Sequence, residues 1–315
     1  MPCFRRAGAA LLGGSLLALT VNAVPATAAP PAEGRGLVCV DEHGHAESAE
    51  SAAARGGRGP DHREVTELQQ QQIDARVARI LERKGVTTAE AKQNAARTTI
   101  PVYVHVMRDD QGNGDVSNRQ ISRQMEVLNN TFSGGESDTA SDAGYRFRLK
   151  DTTRYNNTAW HQDKQSAKYR SQTRQGGANA LNMWLVDFDL LGVATFPFDY
   201  PVNGDIDGIR VNYQSLPGGS IANYNLGETA THEAGHWLGL FHTFQGGCTP
   251  TNDAVLDTPA QSSPTNGCPE GRDSCVLPGL DPIHNYMDYS YDSCYTEFSG
   301  GQSTRMAEMF EAFRS

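Results

Sequence analysis

Residues 231–242 read THEAGHWLGLFH. On an α-helix His232 and His236 stand four residues apart, so both imidazoles leave the same face and can bind one metal ion. Glu233 lies one residue round from the first histidine, a position suited to a base acting on metal-activated water rather than to a ligand. Gly239, three residues beyond His236, can adopt backbone angles closed to other residues and lets the chain leave the helix sharply. His242 then swings back as a third ligand. Three protein ligands leave one tetrahedral corner of a zinc ion open, as a catalytic site requires. The pair HExxH recurs by chance, but the extended HExxHxxGxxH spacing is far more specific than packing histidines would need.

Outward from this helix, the pattern is that of an α+β domain beginning near Thr98. Ile100, Val102, Val104 and Val106 alternate with Pro101, Tyr103 and His105, which predicts a half-buried strand. Ser117, with Gln120 three residues on, opens a helix whose inner face carries Ile121, Met125, Leu128 and Phe132. Further strands are expected at 145–149, 181–186, 192–196 and 208–213, and the histidine helix at 228–240. A long Gly/Pro/Asp/Ser stretch follows to about Pro282. A last helix is expected from about Gly300 to Phe313, capped by Ser299 and Gln302 and burying Met306, Met309, Phe310 and Phe313. The expected architecture has two unequal subdomains, an upper one at about 98–242 and a lower one at about 243–315.

Composition narrows the function classes. The chain has 315 residues, with 37 acidic against 27 basic and a formal charge of −10. The acidic excess falls in 98–315, which argues against nucleic acid or an anionic membrane as partner. Arg5 and Arg6 precede an uncharged Ala/Leu-rich run, and Ala26-Thr27-Ala28 offers small residues for signal-peptidase cleavage. Residues 1–28 therefore read as a signal peptide and the protein as secreted and extracellular. Residues 29–60 hold few large apolar side chains, and 61–84 turn helical, with Leu68, Ile73, Val77, Ile80 and Leu81 near one stripe and Gly85 as the stop. We read 29–97 as a removable prosegment. Cys248, Cys268, Cys275 and Cys294 crowd together in an exported domain, which implies two disulfides with three pairings open.

The histidine helix resembles that of the metzincins, and Asn285-Tyr286-Met287-Asp288-Tyr289-Ser290 resembles their Met-turn. More closely, HEAGHWLGLFHTF, the stretch DAVLDTP at 253–259, the cysteine cluster, DPIHNYMDYSYDSC and FSGGQSTRM resemble the pappalysin family of secreted metallopeptidases. The likeness runs from about Ile100 to the end and is densest from Glu228 to Met306. It implies a twisted mixed sheet with the active-site helix above a horizontal cleft, and a smaller irregular lower subdomain ending in a helix. It also implies a zinc-dependent endopeptidase made as a zymogen, with zinc on His232, His236 and His242 and Glu233 as general base. Its substrates are then proteins or peptides. The alternative is a zinc-stabilised binding module without turnover.

The same resemblance assigns further roles. Met287 would form the hydrophobic base beneath the histidines, and Tyr289 would steady the tetrahedral intermediate. An extended peptide would pair with the edge strand at 192–196. Cys39, in a prosegment that acts as inhibitor, would be the zymogen's zinc ligand, although Val40 stands where glycine is usual. Asp253, Asp257 and Thr258 would bind calcium. The family's disulfide order gives Cys248–Cys275 and Cys268–Cys294. Asp292 and Ser293, or an aromatic set of Tyr286, Tyr291 and Tyr295, would shape the specificity pocket.

Overall fold

A computed structural model describes residues 65–315; the signal peptide and Cys39 lie outside the described residues. Five strands form one mixed sheet in the order β2-β1-β3-β5-β4. β1 (Thr99–Arg108) runs parallel to β2 (Arg146–Asn156) and β3 (Leu181–Val186), and β3 parallel to β5 (Ile209–Asn212). Only β4 (Gly192–Ala194) is antiparallel, pairing with β5 at the sheet's edge. β3 and β4 are consecutive in the chain, yet β5 inserts between them. Every residue of β3 is buried, as expected of a central parallel strand covered on both faces.

The two faces are filled by different elements. Val102, Val104 and Val106 point to one face with Met183, Leu185, Ile209 and Val211, in the same buried cluster as Ile121, Leu128 and Phe132 of α3 (Asn118–Phe132). Ser117 caps α3 by accepting from the Gln120 N–H. On the other face Met107, Trp184 and Val186 meet Tyr169. Two short helices, α4 (Thr158–His161) and α5 (Ser166–Thr173), supply this side, and α6 (Tyr200–Asn203) bridges β4 to β5. Among the described residues no helix is long and apolar enough to cross a membrane.

Among the described residues two helices precede the sheet, α1 (Glu67–Lys84) and α2 (Thr88–Ala95). Val65, Ile73, Val77 and Leu81 are buried in one cluster with Phe196, Phe198, Phe241 and Met309, while Ala91 and Ala95 join the main core. Leu68, expected on the same stripe, is instead 64% exposed. Polar ties reinforce the seam: Asp74 pairs with Arg305 at 2.9 Å, Arg76 donates to the Phe198 carbonyl, and Lys84 donates to the Glu311 carbonyl. Residues 65–97 thus lie against the back of the domain.

The histidine helix, α7, spans Glu228–Trp237 and is buried throughout. It stops three residues earlier than the sequence pattern suggested. Gly239 adopts φ 101° and closes a two-bond cap, with Gly239 N–H donating to the His236 carbonyl and Leu240 N–H to the Gly235 carbonyl. The lower part is mostly irregular and is pinned by Cys248–Cys275 and Cys268–Cys294. It ends in α8 (Gly300–Phe313), with Ser299 and Gln302 forming a reciprocal capping box. Met306, Met309 and Phe310 of α8 are buried, whereas Phe313 is only partly so.

Candidate active site

The end of α7 and the turn after it bring three imidazoles to one point. The Nε2 atoms of His232, His236 and His242 are 3.1–3.2 Å from one another. His232 Nδ1 donates to the Tyr286 carbonyl at 2.6 Å and His236 Nδ1 to the Leu240 carbonyl at 2.8 Å. A carbonyl can only accept, so each of these rings carries its proton on Nδ1 and turns an Nε2 lone pair inward. Converging lone pairs repel unless a cation lies among them. A tetrahedral zinc with Zn–N of about 2.0–2.1 Å sets ligand nitrogens about 3.3 Å apart, so the trio fits that ion.

Around this trio the walls are aromatic and close. Phe244 stacks on His242 with centroids 4.6 Å apart, and the Tyr289 ring stands edge-on to His242 at 4.7 Å. Phe196 makes an edge contact with His236 at 5.6 Å. Met287 is fully buried, and a Cβ on Gly235 would come 2.5 Å from its Sδ. The Met-turn therefore packs directly against the helix that carries two of the histidines. Its carbonyls also tie the halves together, since Met287 O accepts from Thr243 N–H and Tyr286 O from His232. Asp288 holds the turn in shape by accepting from Thr265 N–H, Tyr289 N–H and Gln261 Nε2. Burial pushes its carboxyl above the usual carboxylate range.

Glu233 is buried and lies against the sheet's edge strand. A Cβ on Gly192 of β4 would fall 2.4 Å from Glu233 Oε1, so only glycine at this position leaves the carboxylate its place. The family resemblance implied 192–196 as the edge, but the need for glycine there carries no signal in a single sequence. Phe196 and Phe244 likewise escape a reading based on ligand spacing.

Other sequence candidates separate into two groups. Asp253 and Thr258 are buried, and Asp253 Oδ2, Thr258 Oγ1 and the neighbouring Asn252 Oδ1 have no hydrogen-bond partner. Burial raises the Asp253 carboxyl well above its ordinary range. Three such oxygens in one loop suit a hard cation. Asp257 faces elsewhere: it accepts from Ser299 Oγ and Gly301 N–H at the start of α8. The aromatic pocket expected from three tyrosines is not formed as such. Tyr286 donates to Glu136 and packs on Phe298, and Tyr295 donates to the Asp288 carbonyl, so both belong to the core. Tyr291, half-buried, meets Tyr224 edge-on. Asp292 is buried and accepts from Leu226 N–H, while Ser293 is exposed.

Residues 188–311 match the model of the Peptidase_M43 family, described as pregnancy-associated plasma protein-A. An extracellular metalloprotease of Colletotrichum graminicola is 44% identical over 231 residues, covering 70% of this chain and 79% of that protein. One of Verticillium alfalfae is 44% identical over 254 residues, covering 77% and 84%. Among solved structures, mature mirolysin of Tannerella forsythia in complex with a cleaved peptide is similar with a TM-score of 0.61 and 29% identity, over 69% of this chain and 95% of that one. A promirolysin variant from the same organism gives a TM-score of 0.64 and 26% identity, over 80% and 94%. With that likeness added to the histidine trio and the Met-turn beneath it, the chain belongs to the pappalysin family of metzincin zinc metalloendopeptidases.

Proposed function

We propose that the protein is a secreted endopeptidase, made as a zymogen, in which His232, His236 and His242 hold zinc and Glu233 is the general base. The observation that carries this reading is the meeting of three imidazole Nε2 atoms at one point, beside a carboxylate lodged against the edge strand. When bound, zinc supplies a Lewis acid that polarises a carbonyl and lowers the pKa of water from about 15.7 to about 7. Glu233 takes a proton from the attacking water and returns it to the departing nitrogen. The Tyr289 phenol donates a hydrogen bond to the developing oxyanion. β4, as the last strand of the sheet, offers main-chain hydrogen bonds to an extended peptide, and Gly192 sets that peptide beside Glu233. Calcium is assigned to Asp253 and Thr258 with Asn252, and Asp257 acts through the cap of α8.

The inhibitory prosegment is assigned to residues 29–97, with Cys39 as its zinc ligand. What supports the boundary at 97 is that mature mirolysin covers 69% of this chain and the promirolysin variant 80%; Val65, Ile73 and Val77, buried against Phe196, Phe198 and Phe241, seat this part of the prosegment on the domain. The test of the central reading is Glu233→Ala. It should keep one zinc per chain and lose peptide cleavage; retained hydrolysis would defeat the assignment of Glu233, and a zinc-loaded wild type that cut no peptide would return the non-catalytic module.

A further inference from the structure

Asp207 lies between a 3-10 turn (Gly204–Ile206) and β5, and it is 1% exposed. Its Oδ1 accepts from Thr195 Oγ1 at 2.9 Å and from an Arg314 nitrogen at 3.0 Å. Its Oδ2 accepts from Trp237 Nε1 and from the second Arg314 nitrogen, both at 3.0 Å. Four hydrogen bonds fill the four lone-pair directions of the carboxylate. Arg174 adds a longer ion pair at 3.7 Å. A buried charge is tolerated when it is matched this completely.

The three donors come from three places that bear on catalysis. Thr195 directly follows β4, where the peptide is proposed to pair. Its hydroxyl also accepts from Gly208 N–H at 2.9 Å, which fixes the strand's exit to β5. Trp237 directly follows His236 and closes α7. Arg314, fully buried behind it, lies 3.7 Å over the Trp237 ring and donates through Nε to the Trp237 carbonyl, one of the carbonyls a helix end leaves unmatched. One carboxylate therefore holds the strand that presents substrate and the helix that presents two histidines.

We propose that Asp207, clamped by Arg314, is a positioning residue that fixes the substrate strand in register with the metal-binding helix. The inference rests on the reading of His232, His236 and His242 as the zinc site and of β4 as the peptide edge. Each leg can be cut alone. Thr195→Val removes the strand's bonds to Asp207 and Gly208 and leaves the helix's untouched, and Trp237→Phe removes only the helix's indole donor. Hydrogen bonds to a buried charge are strong enough that each loss should be felt about tenfold. Thr195→Val should raise KM for an extended peptide with kcat and zinc affinity held. Trp237→Phe should weaken zinc binding, measured by competition with a chromophoric chelator, while KM of the zinc-loaded fraction stays at the wild-type value. Asp207→Asn, which turns an amide donor toward other donors, should shift both.

Wild-type zinc content and cleavage are measured alongside. A wild type that bound no zinc or cut no peptide would sink the underlying reading and this one with it. A normal wild type whose Thr195→Val and Trp237→Phe variants lose only thermal stability, at unchanged KM and zinc affinity, would overturn the positioning role alone. Should Asp207→Asn fail to fold, the two single-leg variants still decide.

Discussion

Gly192→Ala adds one methyl group where the structure has least room for it. The new Cβ would stand 2.4 Å from Glu233 Oε1, 2.5 Å from its Cγ and 2.6 Å from its Cδ. Ordinary contact begins near 3.4 Å, so the carboxylate must retreat by about 1 Å, on the scale at which misplacing a reacting group costs about 10²-fold in rate. Glu233 sits on a helix whose neighbours His232 and His236 are fixed by carbonyls, so the shift falls on its side chain. The methyl's overpacking costs about 1–3 kcal/mol, offset by the roughly 0.4–1 kcal/mol that alanine gains over glycine through the unfolded chain. The fold should therefore survive. Kinetics on a quenched fluorescent peptide, zinc content and a melting curve give the test. We expect normal zinc, a small change in Tm and kcat/KM down about 100-fold. Wild-type kcat/KM in a zinc-loaded Gly192→Ala enzyme would refute the placement of Glu233 as the reacting base.

Four further outcomes follow from the same reading. His105, buried between Thr153 and Asn182, has its pKa pushed down to about 4 by burial. Below about 6.5 the unfolded chain takes up a proton that the folded one refuses until about 4, so His105 removes up to about 3 kcal/mol of stability as pH falls across that window. His105→Gln should flatten the acid side of a Tm-against-pH curve between those values; an unchanged slope would count against a neutral buried imidazole. In the zymogen, Cys39→Ser should release activity before processing. A chain starting at Thr98 should cut peptide without processing, whereas one that keeps residues 29–97 should not. Folded, zinc-loaded but inactive protein from Thr98 would contradict that boundary. Calcium should raise Tm in the wild type, and the gain should vanish in Asp253→Asn; an equal gain in both would place the ion elsewhere.

How far the sequence carried depended on whether its signal was local. The histidine spacing, the Ser299–Gln302 cap and the alternation at 100–106 each lie within a few residues, and the corresponding elements are where the pattern put them. β2 runs on to Asn156 although 150–156 show no apolar alternation, because main-chain pairing with β1 holds an edge strand whose side chains stay largely exposed. α7 ends at Trp237 because a glycine cap closes it, while Leu238 and Leu240 kept the apolar pattern running. The prosegment boundary at 97 follows the start of the first strand, and nothing in the local pattern shows that Ile73, Val77 and Leu81 seat α1 on an aromatic patch. Tyr286 and Tyr295 look like pocket residues by position, but their hydroxyls are claimed by Glu136 and the Asp288 carbonyl. The Asp207–Arg314 pair spans more than a hundred residues, and no periodicity or spacing announces it.

The central claim is that three imidazoles and one carboxylate make a zinc peptidase site. Zinc K-edge absorption on the purified wild-type and His242→Ala proteins tests it most directly, together with metal content. We expect one zinc per wild-type chain with three nitrogen neighbours at about 2.0–2.1 Å, and one nitrogen fewer or no zinc in the variant. A wild type without zinc, or a metal whose neighbours do not change when His242 is removed, would contradict the account.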